Sequence, residues 1–209
     1  MFPLGSVSRS ITSIPFITVL IILINAGVFY LELQQGEAFI DRWSAVPAAL
    51  TGGREYETVI TSAFMHGGWL HIIGNMIFLW AFAPPMEEAM GSVKFLIFYL
   101  LGAVAAAAAQ VYGDPNSTLP LVGASGAVAA VMGAFLVTYP RDSIRTLIVT
   151  PAVRVVFIPA IVLIGLWIVL QVVSVNTEPQ QANAGGVAYL AHIGGAAFGI
   201  VTGRLFIWR

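Results

Sequence analysis

Three short stretches hold residue types that could do chemistry together. Ser125 lies in PLVGASGAVAAVMG (residues 120–133), among small residues in a segment apolar enough to enter a bilayer. His192 lies in AHIGGAAFG (191–199), and His66, His71 and Asn75 lie in MHGGWLHIIGNM (65–76). A lone serine in an apolar helix is ordinarily a packing residue, but an ionisable side chain there is costly and marks function. A Ser–His pair within hydrogen-bond reach is the minimum for nucleophilic acyl transfer. The imidazole takes the hydroxyl proton as the serine attacks a carbonyl, then returns it to the leaving amine. The tetrahedral intermediate needs donors aimed at its oxyanion. His71, the Asn75 amide and the Ser125 backbone N–H, close to a helix start, can supply them. No Asp or Glu is placed to orient the imidazole, since Glu87 and Glu88 fall at the far end of their span. The expectation is therefore a dyad, not a triad.

The elements that must position these residues follow from hydropathy. The chain is 58% hydrophobic and 9% charged, far below the roughly one-quarter charged residues of a soluble domain. It reads as an all-α integral membrane protein. Apolar runs suited to spanning about 20 residues of hydrocarbon core fall at residues 14–33, 69–83, 93–111, 121–139, 155–175 and 187–208. Pro84 and Pro85 mark the end of the second. The first is long for a signal peptide, has only Arg9 before it and lacks a small-x-small cleavage site, so it reads as a retained anchor. With the N-terminus inside, Arg9, Lys94, Arg141, Arg145, Arg154, Arg204 and Arg209 lie inside and only Arg42 and Arg54 outside. The 139–154 stretch is then a cytoplasmic loop. The long 34–66 connection lies outside, either along the interface or as a small subdomain.

In this topology the second, fourth and sixth spans all run from outside to inside, and each carries its polar residues near its start. At 1.5 Å per residue, Ser125 sits roughly 6 Å and His192 roughly 8 Å below their helix starts. All 3 histidines of the chain share this layer. His192, Gly195 and Gly199 share one helical face, and Ser125, Ala129 and Gly133 form a matching smooth ridge. If the ridges meet, Ser125 and His192 come within reach. His71 and Asn75, four residues apart, point at the same layer.

Several classes are disfavoured. A net charge of −1 gives no electrostatic case for nucleic acid, and zero Cys removes disulfides, thiolate metal sites and a cysteine nucleophile. A metal or proton carrier built on His66, His71 and His192 would lack a carboxylate or Cys at that depth, and no HExxH helix is present. No metal or cofactor is expected.

The three motifs, HGGWLHIIGNM (66–76), GASGAV (123–128) and AHIGGAAFG (191–199), resemble those of the rhomboid family of intramembrane serine proteases, in the family's order and on its second, fourth and sixth spans. Glu87 with the following MGSVKF is similar to the family's pattern at the end of the second span. The resemblance covers nearly the whole chain. It implies a single six-transmembrane-helix bundle over residues 1–209 and a serine endopeptidase that cuts transmembrane protein substrates near the outer membrane face. Ser125 would be the nucleophile and His192 its base. His71, Asn75 and Gly123, with the Ser125 backbone N–H, would surround the oxyanion and substrate, and His66 would support them. The partners implied are transmembrane substrates and the lipid bilayer.

Two positions depart from the family pattern. Glu57 and Thr58 stand where a Trp-Arg pair is usual, and Ala129 stands where some members carry an aromatic that stacks on the catalytic histidine. The first puts the anchoring of the external loop in question, and the second leaves His192 to be held by some other ring. The rival reading within the family is an inactive client-binding protein, although both Ser125 and His192 are retained. The fifth span and its loop to Gly186 are the expected gate. Because no targeting extension precedes the first span, the expected location is a prokaryotic plasma membrane with both termini cytoplasmic.

Overall fold

The computed structural model describes residues 1–7, 12–150, 152–177 and 187–207. Arg9 and Arg209, used in the orientation argument, and the 178–186 part of the expected gate loop lie outside the described residues. Strand β1 (Phe2–Ser6) precedes helix α1 (Phe16–Gln35), an apolar run free of proline that stops where Gly36 takes φ +69°. The first-turn N–H groups of Ile17 and Thr18 each donate to the Glu87 carboxylate at 2.8 Å, as does the Thr18 hydroxyl. A buried carboxylate thus satisfies the electropositive end of α1. Ser92 Oγ donates to it as well, at 2.7 Å.

The 34–66 connection is neither free nor featureless. It forms α2 (Glu37–Trp43), α3 (Pro47–Thr51), α4 (Thr58–Thr61) and a 3₁₀ turn over Ser62–Phe64. Ala45 and Leu121 exchange backbone hydrogen bonds of 3.1 and 2.7 Å, and Ala48 N–H donates to Ser117. These bonds bind the connection to the segment that leads into Ser125.

Helix α5 (Trp69–Met90) corrects one expectation, because it does not end at Pro84 and Pro85 but runs through both. Each proline forfeits one backbone bond, at a cost of roughly 3 kcal/mol. Both are fully enclosed with Phe82, Ala83 and Met86, and that packing holds the helix on course until Gly91. Helix α6 (Ser92–Gly113) returns antiparallel.

Helix α7 (Ser125–Thr138) is the centre of the molecule, with every residue from Gly126 to Phe135 buried. Helix α9 (Tyr189–Thr202) lies against it so closely that a Cβ on Gly195 would overlap the Gly126 carbonyl oxygen. One on Gly199 would overlap that of Ala130. On the other side a Cβ on Gly102 of α6 would strike the Ala130 methyl at 2.6 Å. Such close approach is what small residues permit where lipid offers no hydrophobic drive. The two ridges do meet.

Among the described residues, α1, α5, α6 and α8 (Ala160–Thr177) are long and apolar enough to cross a bilayer. The six expected spans correspond to these four and to α7 and α9, which have 14 residues each. A 14-residue helix reaches about 21 Å, short of the roughly 30 Å hydrocarbon core. Helix α7 is walled in by its neighbours, so the bilayer does not set its length.

The 139–154 stretch also departs from expectation. It enters an antiparallel pair, β2 (Ser143–Thr150) and β3 (Ala152–Pro159), that joins β1 in a sheet ordered β1-β2-β3. The runs SIRTLIVT and AVRVVFIP are rich in β-branched residues, which suit a pleated surface. The fifth span accordingly starts at Ala160 and not near Val155. A 3₁₀ turn, Gly203–Phe206, follows α9. In it Arg204 Nε donates to the Val137 carbonyl at 2.9 Å, satisfying the end of α7.

Candidate active site

Ser125 does not sit one turn down its helix, as its place in the apolar run suggests. It is the first residue of α7, because Leu121–Ala124 approaches in a non-helical path and Gly123 takes φ +125°. The first intrahelical bond runs from Val128 N–H to Ala124 at 2.9 Å. The N–H groups of Ser125 and Gly126 therefore have no intrahelical acceptor and stand at the positive end of α7. His192 is the fourth residue of α9. Gln110 of α6 fixes the start of that helix by accepting the Ala191 N–H at 3.3 Å.

The two meet. His192 Nε2 lies 2.8 Å from Ser125 Oγ, the distance a proton transfer between them requires. His192 is buried, and Ser125 is half-buried.

His71 and Asn75 stand four residues apart in the first turns of α5, and His71 lies beside Gly123 and Ser125. Gly67 N–H points at His71 Nδ1 at 3.4 Å. That contact makes Nδ1 the acceptor and leaves the proton on Nε2. Nε2 lies against Gly123, where a Cβ would come within 2.7 Å of it and 3.6 Å of Ser125 Oγ. A side chain is excluded at Gly123 twice, by its positive φ and by the imidazole. Asn75 is buried, and its Nδ2 has no hydrogen-bond partner among the described residues. A buried amide donor left unmatched is costly in a finished fold, and it is the state expected of a donor that waits for an anion.

His66 stands behind His71, its ring 5.2 Å away and edge-on. Its backbone N–H donates to Glu32 Oε1 at 2.9 Å. Burial, and then the neighbouring His71, push the His66 imidazole down to about 4, so the ring is neutral at physiological pH. Glu32 of α1 thus reaches the histidine layer, where the sequence argument counted no carboxylate. Its contact is with the His66 backbone. Among the described residues, no three His, Asp or Glu side chains gather in a metal-holding group.

Two residues on α8 escaped the sequence reading. Gln171 Oε1 lies 2.7 Å from His192 Nδ1, and the Trp167 ring lies 5.5 Å from the imidazole at 36°. The missing aromatic at Ala129 is therefore replaced by Trp167. The signal was present in the chain. Gln171 is the lone amide within the otherwise apolar run from Ile161 to Val173, one turn beyond a tryptophan.

The loop departure also finds a substitute. Glu57 pairs with Arg42 at 3.2 Å, and Arg42 lies over the Trp43 ring at 4.6 Å. A Trp and an Arg serve the loop from α2 instead of from positions 57 and 58. Thr58 turns inward and donates to the Glu55 carbonyl at 2.7 Å. Beneath the loop a cavity of about 20 Å³ opens beside Ser62, Gly123, Ser125 and Gly126. It has room for about one water.

The family model described as "Rhomboid domain" matches residues 53–209. The chain is 30% identical over 190 residues to "Rhomboid protein 1, mitochondrial" of Saccharomyces cerevisiae, covering 86% of this chain and 50% of that protein. It is 29% identical over 194 residues to "RHOMBOID-like protein 12, mitochondrial" of Arabidopsis thaliana (85% and 54%). Over 126 residues it is 29% identical to "Rhomboid protease GluP" of Bacillus subtilis (58% and 24%). The chain spans about half the length of the first two relatives. The mitochondrial names of the yeast and plant proteins, shared by a human relative, overturn the expected prokaryotic plasma membrane. That expectation leaned on where the chain begins, which carries no weight beside relatives twice as long. A helical membrane bundle, three motifs converging on one layer and a family match over three-quarters of the sequence lead to one statement: the chain belongs to the rhomboid family.

Proposed function

We propose that this protein is an intramembrane serine endopeptidase that cuts transmembrane protein substrates with Ser125 as nucleophile and His192 as general base. The observation that carries the reading is the 2.8 Å contact between His192 Nε2 and Ser125 Oγ, beside a buried Asn75 amide whose nitrogen has no partner among the described residues.

As the serine oxygen bonds to the substrate carbonyl carbon, its proton passes to His192 Nε2. The carbonyl oxygen becomes an oxyanion within reach of the Ser125 N–H at the start of α7, His71 Nε2–H and the Asn75 amide. The imidazolium then gives its proton to the departing amine, leaving an acyl-enzyme on Ser125. Water attacks the ester carbonyl by the same proton route in reverse, and the carboxylate product leaves. Gly123 keeps the approach to Ser125 open, and His66 backs His71. We read residues 1–209 as one domain, because α1 is bound to the rest through Glu87 and Glu32. The names of the relatives support a mitochondrial membrane as its place.

The test is cleavage of a single-span reporter by protein reconstituted in liposomes. Wild type should cut it, and Ser125→Ala and His192→Ala should not. Cleavage that survives Ser125→Ala would sink the mechanism. A wild type that binds several such reporters and cuts none would favour a client-binding protein.

A further inference from the structure

Helix α8 carries a device for the base. Among the described residues, Ala160, Ile164 and Gln171 are the ones α8 buries; the remainder is half-buried or exposed, as expected of a helix facing lipid. A polar side chain on such a helix could turn outward only into hydrocarbon, at a cost of several kcal/mol. Gln171 turns inward instead and ends on His192.

The direction of that contact can be worked out. An amide can present either its oxygen or its nitrogen, and a neutral imidazole can carry its proton on either ring nitrogen. Gln171 Nε2 faces the Trp167 carbonyl at 3.5 Å. A carbonyl only accepts, so the amide must keep its N–H₂ on that side and its oxygen toward His192 Nδ1, 2.7 Å away. The oxygen also only accepts, so Nδ1 must donate. The proton of the neutral ring is then on Nδ1, and Nε2 is left with the lone pair that Ser125 O–H needs, at 2.8 Å. Four groups point one way, from the serine hydroxyl to the backbone of α8. The Trp167 ring limits tilt of the imidazole from the side.

We infer that Gln171 is a positioning residue that selects the reactive tautomer of His192. The inference rests on the Ser125–His192 reading. Without an acceptor at Nδ1, the imidazole keeps its proton on Nε2 for part of the time. In that form it donates to Ser125 Oγ and cannot take its proton. Gln171→Met keeps the length and removes the acceptor, whereas Gln171→Glu keeps an acceptor oxygen.

The experiment has two readouts on detergent-solubilised full-length protein. The first is ¹⁵N NMR of histidine-labelled protein, with His192→Ala used to assign the signals. His192 should carry its proton on Nδ1 in wild type and in Gln171→Glu, and shift toward Nε2–H in Gln171→Met. The second is reporter cleavage together with labelling of Ser125 by a fluorophosphonate. Gln171→Met should lose about ten- to a hundred-fold in kcat, a part of what a general base supplies, with KM within about twofold. Gln171→Glu should restore most of it. Wild-type kcat in Gln171→Met, or His192 protonated on Nε2 in wild type, would overturn the inference. An equal loss in Met and Glu variants with a lowered melting temperature would reduce Gln171 to a packing residue. A wild type that shows the Nδ1–H form yet neither cuts nor labels would defeat the protease reading instead.

Discussion

Gly123 shows how narrowly the site is specified at the scale of single residues. Its φ of +125° and the imidazole facing its missing Cβ mean that Gly123→Ala must strain the backbone and push His71 aside. We expect it to lower kcat by at least tenfold and to lower the melting temperature as well, checked by reporter cleavage beside a thermal scan. Asn75→Ala removes one proposed oxyanion donor. It should cost about 10²–10³ in kcat with little change in KM. His66 makes a prediction about pH. Its folded value near 4 lies below the 6.5 of a free histidine. Between those values the unfolded chain holds a proton that the folded chain does not. Stability is therefore full above about pH 6.5 and falls as pH drops toward 4, by up to about 1.4 kcal/mol per unit. His66→Phe should flatten that slope; equal slopes in both proteins would mean that His66 is not the group responsible.

Helices and strands differ in how far the sequence revealed them. The contact between α7 and α9 was legible because Gly195 and Gly199 fall on the face of His192, and that spacing has few uses besides close approach. Gly199→Leu should separate the helices and abolish cleavage along with the fold, seen as lost thermal transition; a folded, active Gly199→Leu would refute the packing argument. The course of α5 through Pro84 and Pro85 was not legible, since propensity is local and the enclosure that overrides it is tertiary. The β2–β3 pair was missed for a related reason. Its apolar residues merged with the neighbouring span, and the signals that divide the two, the β-branched run and Pro159 at the end of β3, are outweighed by hydropathy when spans are sought. Gln171 was hidden by convention more than by physics, because an amide draws less notice than a carboxylate when a partner for histidine is sought.

At the scale of the whole molecule, α1 and α5 form an antiparallel pair fastened at both ends. Near the start of α1, Glu87 of α5 accepts two backbone N–H groups and a hydroxyl. Near its finish, Glu32 of α1 accepts the His66 N–H. Each helix gives one carboxylate to the other's end of the pair. Glu87→Ala would orphan the donors at the start of α1 and should destabilise the protein by about 2–4 kcal/mol, read as a lowered melting temperature in detergent. The mechanical consequence reaches further. Two rods pinned at both ends can neither slide nor splay, so they act as a fixed post. Any opening that admits a substrate helix must then be made elsewhere than between these two rods, and we propose α8, with most of its surface turned outward, as the element that moves. A disulfide engineered between α1 and α5 should leave turnover intact, whereas one that ties α8 to α5 should stop it.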